Sequence, residues 1–362
     1  MKKTGDILKI SSSEALRLLV VLIISKIFFW DITKLVTVSS TAAYIHMIIS
    51  TLLALILFLI MMKFYNTQDD IFDVTKKTFG KFVFYVFGIF LSVIQVMNFV
   101  IMLKSYCTTI TTVTLTNSSN FFVLLFILAT LVASGYLGIK SVIKVASASF
   151  FVLIFFIVIL IVFDIPNFEV DNIFPILGNG IDGFKQAYKN VGFFNELLFL
   201  FFLIPILKNK GDVKKIGIKS IVISGVIISA LTLVFTFIIP YPVNTRYYLP
   251  VFEITSSVNF FVIFQRAEAV YLILWLFTAF LYTGATFCFL LYTIKKTFSL
   301  SDQKALIPSL LLIIVTLLGL YENVNATELT HNVLSYTFSL LLFVGLTMIF
   351  AVNSYKKRSA EK

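Results

Sequence analysis

Charged and amide side chains interrupt stretches of this sequence that are otherwise apolar. Asn195 and Glu196 stand in one such run, directly after Phe193 and Phe194. A charged group in lipid hydrocarbon costs free energy, so it is a candidate functional residue by default. Protonation, or a cationic partner such as Lys104, would remove the cost of burying Glu196. Glu196 is therefore a candidate functional residue, with protonation and pairing as the competing ways to remove that cost.

A second polar pattern lies in the apolar segment 82–112, which also contains Gln95. Asn98 and Ser105 are one heptad apart, so they share a helix face and are expected to line the interior of a helix bundle. Two interpretations stay open, a hydrogen bond between helices and contact with a ligand. Lys104 lies toward one end of the segment and can extend to the membrane surface, which favours a structural or pairing role.

Two further patterns have both a functional and a structural interpretation. Thr278, Tyr282 and Thr286 follow one another at intervals of four residues, which predicts a polar stripe on one helix face. Threonine can equally bond the backbone of its own helix. Lys26 stands near Trp30 at the outer end of the first apolar segment, a pattern typical of an interfacial anchor.

Motifs for enzymatic chemistry are absent from the sequence. Gly80-Lys81 is followed by Phe, so it is not a phosphate-binding loop, and there is no HExxH motif, no GxSxG motif and no GxGxxG motif after a strand. Cys107 and Cys288 both fall in apolar segments and form no CxxC pair. We therefore expect no catalytic residue, no metal, no cofactor and no structural disulfide.

Ten apolar segments account for most of the chain and must position these residues. Helices need about 20 residues to cross a bilayer. The chain is 59% hydrophobic with 41 Phe, which excludes a soluble protein. The sequence predicts an all-α polytopic membrane protein with ten transmembrane helices. The segments are 14–30, 41–62, 82–112, 120–138, 142–163, 184–207, 216–239, 266–294, 305–320 and 333–352.

The segments between these spans alternate in charge. Most of the 29 basic residues fall in alternate segments, and the other segments are lysine-poor or acidic. Because cytoplasmic loops retain Lys and Arg, both termini are predicted to be cytoplasmic, which requires an even number of spans. The net charge of +11 is then an orientation signal and a contact with anionic lipid, not a nucleic-acid footprint.

Four motifs together resemble a known family. The chain resembles the B subunit of the GerA-type spore germinant receptors, the endospore germination permeases of the amino acid/polyamine/organocation transporter superfamily. The resemblance extends over nearly the whole chain. Its motifs are Phe79-Gly80-Lys81, the segment from Asn172 to Gly180, Gln265-Arg266-Ala267-Glu268 leading to Trp275, and Lys295-Lys296-Thr297-Phe298.

The resemblance implies a LeuT-like fold, a single transmembrane domain over 1–362. Its two inverted repeats of five spans would cover about 14–163 and 184–352, an arrangement that the count of ten also favours. In such a fold the first and sixth spans break within the membrane. Residues 18–30 contain neither glycine nor proline, which departs from the family pattern and weighs against the break or against a glycine-dependent mode of carboxylate binding. The ligand-facing residues would be Ser25, Lys26, Ile27, Phe28, Asn98, Phe194, Thr278, Tyr282 and Thr283, and the coupling or structural charges Lys104, Glu196, Arg266 and Glu268.

The function that the resemblance implies is that of a germinant-sensing membrane subunit. It would bind a small nutrient, an amino acid, and pass a conformational change to an A subunit and a lipoprotein C subunit in the spore inner membrane. The alternative is a proton- or sodium-coupled amino acid permease, because one fold serves both functions. A third class is a structural scaffold or a component of an ion-release channel, for which no small molecule would bind the pocket.

Overall fold

The computed structural model describes residues 9–28, 31–111, 120–180, 187–247, 249–257, 267–320, 333–335 and 337–360. These residues are helical almost throughout. They contain no β-strand, and the β-pairing within them is an isolated parallel bridge between Ile10 and Leu207. Arg266 and Trp30 lie outside the described residues.

Helices occupy each of the ten segments that the sequence marks as apolar. The first, α1, begins at a capping box, in which Ser11 and Glu14 bond each other's backbone amides. In chain order the α-helices are α1 Ser12–Ser25, α2 Asp31–Ser39, α3 Ala43–Phe64, α4 Ile71–Thr109, α5 Asn120–Leu137, α6 Ile139–Asp164, α7 Leu200–Leu203, α8 Val213–Ile238, α9 Pro250–Ser257, α10 Ala267–Thr297, α11 Ile307–Leu320 and α12 Leu346–Ala360.

Six helical stretches within the described residues are long and apolar enough to cross a membrane. Three shorter apolar helices accompany them in the same ranges, at Phe122–Leu137, Asn190–Ile206 and Lys304–Gly319. The protein is therefore a polytopic helical membrane protein. The six spans are Ile32–Phe64, Ile71–Thr109, Ile139–Asn167, Lys210–Ile238, Val270–Thr297 and Val333–Ser359.

The first apolar segment is not one continuous α-helix. Helix α1 ends at Ser25, a 3₁₀ helix follows over Lys26–Phe28, and α2 begins at Asp31. The segment therefore leaves α-helical geometry although it contains neither glycine nor proline. A 3₁₀ turn needs no positive φ, so ordinary residues can form it.

The sixth apolar segment departs further from α-helical geometry. It forms a 3₁₀ helix over Ala187–Phe199, then the single turn α7, then a 3₁₀ turn over Ile204–Ile206. Runs of 3₁₀ helix longer than three or four residues are uncommon, and within a helix they often mark a functional hinge. We call Ala187–Phe199 the long 3₁₀ segment.

Helix α4 contains a kink that separates a short first section from its membrane section. Gly80 has φ of 83° and ψ of −178°, a conformation that a residue with a Cβ rarely adopts. Asp70 caps the first section by accepting a hydrogen bond from the Asp73 amide at 2.8 Å. The predicted span 82–112 starts just after this kink.

Several lysine-bearing segments meet at one end of the molecule, which we call the lysine-rich end. Lys210 donates to the Gln68 carbonyl at 3.0 Å and Lys357 donates to the Asn66 carbonyl at 3.1 Å. The amide of Ile10 donates to the Ile206 carbonyl at 2.9 Å. These contacts place both ends of the described chain at the same end of the bundle.

Candidate functional site

A buried ion pair joins the two segments that depart from α-helical geometry. Lys26 Nζ, in the 3₁₀ turn after α1, lies 2.6 Å from Glu196 Oε2, in the long 3₁₀ segment. Lys26 is 9% exposed and Glu196 is 4% exposed. Two opposite charges this close and this buried stabilise each other's ionised form, whereas either charge alone would be costly there.

Three further groups complete this polar site. The Tyr282 hydroxyl, on α10, donates to Glu196 Oε1 at 2.9 Å. Lys26 Nζ donates to the Gly192 carbonyl at 3.2 Å and lies 5.9 Å from the centre of the Phe193 ring. The contact between Lys26 and Glu196 Oε2 is an ion pair rather than an aligned hydrogen bond. Side chains from three parts of the chain therefore share one site with no net charge.

The three-residue repeat of the long 3₁₀ segment explains how Glu196 is aimed. Residues three apart eclipse one another in a 3₁₀ helix, so Phe193 and Glu196 form one row. Both contact Lys26. Gly192 and Asn195 form the next row, which faces the last span.

That second row holds the long 3₁₀ segment against residues 333–340. Asn195 Nδ2 donates to the Ser335 carbonyl at 3.0 Å, and Ser339 Oγ donates to Asn195 Oδ1 at 2.8 Å. A Cβ on Gly192 would lie 2.6 Å from Ser335 Oγ, so glycine permits this close approach. The segment that carries Glu196 is thus bonded on two sides.

The structure replaces two interpretations made from the sequence. Lys26 is not an interfacial anchor, because the chain leaves α-helical geometry at Lys26 and its ammonium group is buried against Glu196. Lys104 is not the partner of Glu196. It is half-buried on α4, and no salt bridge links it to any other residue in the described ranges.

The threonines of the predicted polar stripe bond their own helix. The Thr278 hydroxyl donates to the Trp275 carbonyl at 2.8 Å, and the Thr286 hydroxyl to the Tyr282 carbonyl at 2.9 Å. Thr283 likewise donates to the Ala279 carbonyl at 2.9 Å. These are the bonds that the structural interpretation expects, and ligand contacts of Thr278 and Thr283 stay predictions. Within the stripe, Tyr282 is the residue that reaches a side chain of another element, Glu196.

The structure describes the side chains of four further predicted ligand-facing residues, Ser25, Ile27, Phe194 and Asn98. Ser25 is buried and donates to the Val21 carbonyl at 2.6 Å, while Ile27 and Phe194 are fully buried beside the ion-paired residues. Asn98 is half-buried on α4. The side chains of Phe28 and Glu268, like Arg266, lie outside the described part of the chain. Their roles, and the ligand contacts expected of all these residues, stay predictions.

Gln95 is a polar residue that the sequence analysis did not propose for the site. It is 6% exposed on α4, and its amide oxygen and nitrogen have no hydrogen-bond partner within the described residues. Its helix face contacts α10, since Gly88 approaches Thr297 and Phe99 contacts Phe287 on either side of it. The feature of the sequence that could have indicated a role for Gln95 is its position as a polar residue in an apolar run.

The described residues contain no group of His, Cys, Asp or Glu that could hold a metal ion. Cys107 and Cys288 are both buried as free thiols. The polar site is instead a neutral arrangement of one ammonium, one carboxylate, one phenol and one carbonyl. Such groups bind and orient a polar ligand, and the carboxylate can also exchange a proton.

A polytopic helical membrane protein with a buried ion pair between two interrupted apolar segments is the class that this fold and site define. Over residues 9–327 the chain matches the family model described as spore germination protein. The chain belongs to that family, which confirms the resemblance to the spore germination permeases. A search of the curated proteins finds no match.

Proposed function

We propose that this protein is the membrane subunit of a spore nutrient-germinant receptor and that the nutrient binds beside Lys26 and Glu196. The buried ion pair between the two interrupted segments carries this proposal. A small polar molecule that enters between them would exchange one set of charged contacts for another. It would thereby alter how the first and sixth segments are held together.

The proposed nutrient is an amino acid. Its α-carboxylate would take the Lys26 ammonium as partner, and its ammonium would take the Glu196 carboxylate. Ion pairs between these groups are the stronger, charge-assisted kind of hydrogen bond. Binding signals only if the ligand prefers one conformation of the receptor. Separation of Lys26 from Glu196 is the conformational difference that we propose.

The proposed architecture is a LeuT-like bundle of ten spans in two inverted repeats. Support comes from the helices found in all ten apolar segments and from the position of the two interrupted ones, the first and the sixth. These segments are five spans apart, as an inverted repeat of five spans requires. The whole chain would form one transmembrane domain, its repeats at about 14–163 and 184–352.

The proposed location is the spore inner membrane, with an A subunit and a lipoprotein C subunit as partners. The lysine-rich end would face the cytoplasm, which places both termini there. The hydrogen bonds that bring both ends of the described chain to this end support an even number of spans. The partners follow from the family alone.

Germination of spores that carry single substitutions tests the proposal. We expect Glu196→Gln to raise the half-maximal concentration of the effective amino acid at least tenfold, about 1.4 kcal/mol, because one ligand contact loses its charge. Lys104→Gln is the matched control, since it removes a charge from a half-buried lysine outside the site. Receptor amounts are checked by immunoblot. An unchanged dose response at normal receptor levels would contradict a nutrient site at Glu196.

A proton-coupled amino acid permease is the second candidate. The observation that favours it is a buried carboxylate, Glu196, held between a cation and a phenol, because intramembrane carboxylates of this kind form the proton pathways of transporters. Uptake of a labelled amino acid into proteoliposomes, driven by a proton gradient and abolished by Glu196→Gln, would support transport. Ligand binding without uptake would support the receptor, and no binding at all would support a scaffold.

A further inference from the structure

A cavity opens at the lysine-rich end, where α3 ends and α8 begins. Its volume is about 330 Å³, within the range of ligand pockets in proteins. The cavity is distinct from the site at Lys26 and Glu196. Its polar lining consists of Tyr65, Asn66, Thr67, Gln68, Lys210 and Lys214.

The charged side chains that line this cavity are positive. Lys210 is held in place by its hydrogen bond to the Gln68 carbonyl at 3.0 Å, and Lys214 is one helical turn further along the chain. None of the lining residues is acidic. The neighbouring carboxylates have other partners, Lys77 for Asp69 at 2.5 Å and the Ser12 hydroxyl for Asp212 at 2.7 Å. The cavity therefore favours an anion.

Tyr65 lines the cavity as a neutral aromatic residue. Its hydroxyl is buried and has no hydrogen-bond partner within the described chain. Burial, and secondarily the charge of Asp69, raise the pKa of the Tyr65 phenol, so the group keeps its proton. The ring packs against Phe350 at 5.2 Å and Phe201 at 6.0 Å between ring centres. Tyr65 therefore adds no negative charge beside the cavity.

The depth of the cavity is that of lipid headgroups. The span Ile32–Phe64 ends beside it, and the span Lys210–Ile238 begins in it. Met62, two residues before the end of the first of these spans, supplies an apolar wall of the cavity. Basic pockets between transmembrane helices on the cytoplasmic side bind anionic headgroups.

We propose that this cavity binds a phosphate group, supplied by an anionic phospholipid of the adjoining leaflet. Lys210 and Lys214 contact the phosphate charge. A soluble phosphate has the same chemistry and could reach the cavity from water. The two ligands can be distinguished because a phospholipid binds with its acyl chains in the bilayer, whereas a soluble phosphate binds without acyl chains.

Lipid retention by the purified full-length protein tests the proposal. Protein in neutral detergent is titrated with phosphatidylglycerol or phosphatidylcholine, and bound lipid is counted by native mass spectrometry; parallel samples receive inorganic phosphate or glycerol phosphate. We expect preferential retention of phosphatidylglycerol, at least tenfold weaker in the double variant Lys210→Gln/Lys214→Gln, because each lysine near an anionic surface accounts for about fivefold.

The double variant Lys215→Gln/Lys219→Gln is the matched control, because it removes the same charge from exposed positions of α8 outside the cavity lining. Lys214→Gln alone leaves the bond from Lys210 to Gln68 intact and should still lose about fivefold. Retention by the control variant at the level of the unsubstituted protein supports the site. Competition by glycerol phosphate at the same concentration as the lipid supports a phosphate site with a soluble ligand. Equal losses in both double variants, or no preference for anionic lipid, would overturn the proposal.

Discussion

The contacts of Glu196 explain how a carboxylate can remain inside an apolar bundle. Its two oxygens contact Lys26 and Tyr282, so neither is left to the hydrocarbon environment. Removal of one partner from a buried pair costs more than replacement of both by apolar groups, because the remaining charge is then uncompensated. The pair is thus a point where small chemical changes have large effects.

This asymmetry gives a prediction for Lys26 and Glu196. We expect Lys26→Met to lower the free energy of unfolding in detergent by about 3–5 kcal/mol, since Glu196 is left buried without its cation. The double variant Lys26→Met/Glu196→Gln should recover most of this loss. Denaturant titration of the purified variants measures both values. Additive losses in the double variant would show that the two residues do not depend on each other.

Only some of the residues in this site could be predicted from the sequence. Glu196 could be singled out because an acid in an apolar run is rare. Its partner could not, since Lys26 and Glu196 are 170 positions apart and meet only through the fold. Lys104 was wrongly proposed as the partner. A lysine that extends to the membrane surface and a lysine buried in an ion pair cannot be told apart from the sequence. Gln95 was visible as a polar residue, but nothing local indicated that its amide is buried without a partner in the described part of the bundle.

At the scale of elements, the start of α4 is bound to the end of α10 by a cluster of charges. Lys296 Nζ lies 2.7 Å from Asp70 Oδ2 and 2.9 Å from Asp73 Oδ2. The Tyr292 hydroxyl donates to Asp70 Oδ2 at 2.5 Å. The Asp70 side chain is fully buried, whereas the Lys296 side chain is 31% exposed. The section of α4 before Gly80 is thereby fixed at the lysine-rich end.

We expect Lys296→Met to loosen this section. Asp70 would keep its bonds to Tyr292 and to the Asp73 amide but lose its cation, at a cost of about 1.5–3 kcal/mol, the range for hydrogen bonds to charged groups. Trypsin should then cut more rapidly at Lys76 and Lys77. Lys295→Met is the control, because Lys295 has no salt bridge within the described residues. Equal cleavage rates in the two variants would contradict a role for the cluster.

The apolar segments could be predicted from sequence because hydrophobic length is a local property. Their helical geometry could not. Residues 18–30 lack glycine and proline, so composition favoured a continuous helix, yet the chain changes to 3₁₀ geometry at Lys26. In the sixth segment Pro205 signals only the last turn, while the 3₁₀ geometry begins well before it. Tertiary contacts outweigh local preference in both places.

At the scale of the whole molecule, the first and sixth segments are joined at two levels. One is the pair of Lys26 and Glu196. The other lies at the lysine-rich end, where Ile10 bridges Leu207 and Ser12 donates to Asp212 at 2.7 Å. Helix α1 is thus attached at both ends to the sixth segment and to the residues just after that segment. If the nutrient separates Lys26 from Glu196, the bridge at Ile10 can either hold or open.

We expect the bridge to hold, so that α1 pivots about it while the proposed nutrient site opens. A disulfide between Ile10→Cys and Leu207→Cys fits this geometry, because bridged neighbours lie about 5 Å apart and disulfides span similar Cα distances. Spores with the oxidised double variant should germinate at the same nutrient concentration as reduced ones. Each single variant controls for the substitution itself. Cys107 and Cys288 are buried in apolar helices and should not react with a hydrophilic oxidant. Loss of germination on oxidation, restored by reduction, would show instead that α1 must separate from Leu207, and would make the lysine-rich end the moving part of the protein.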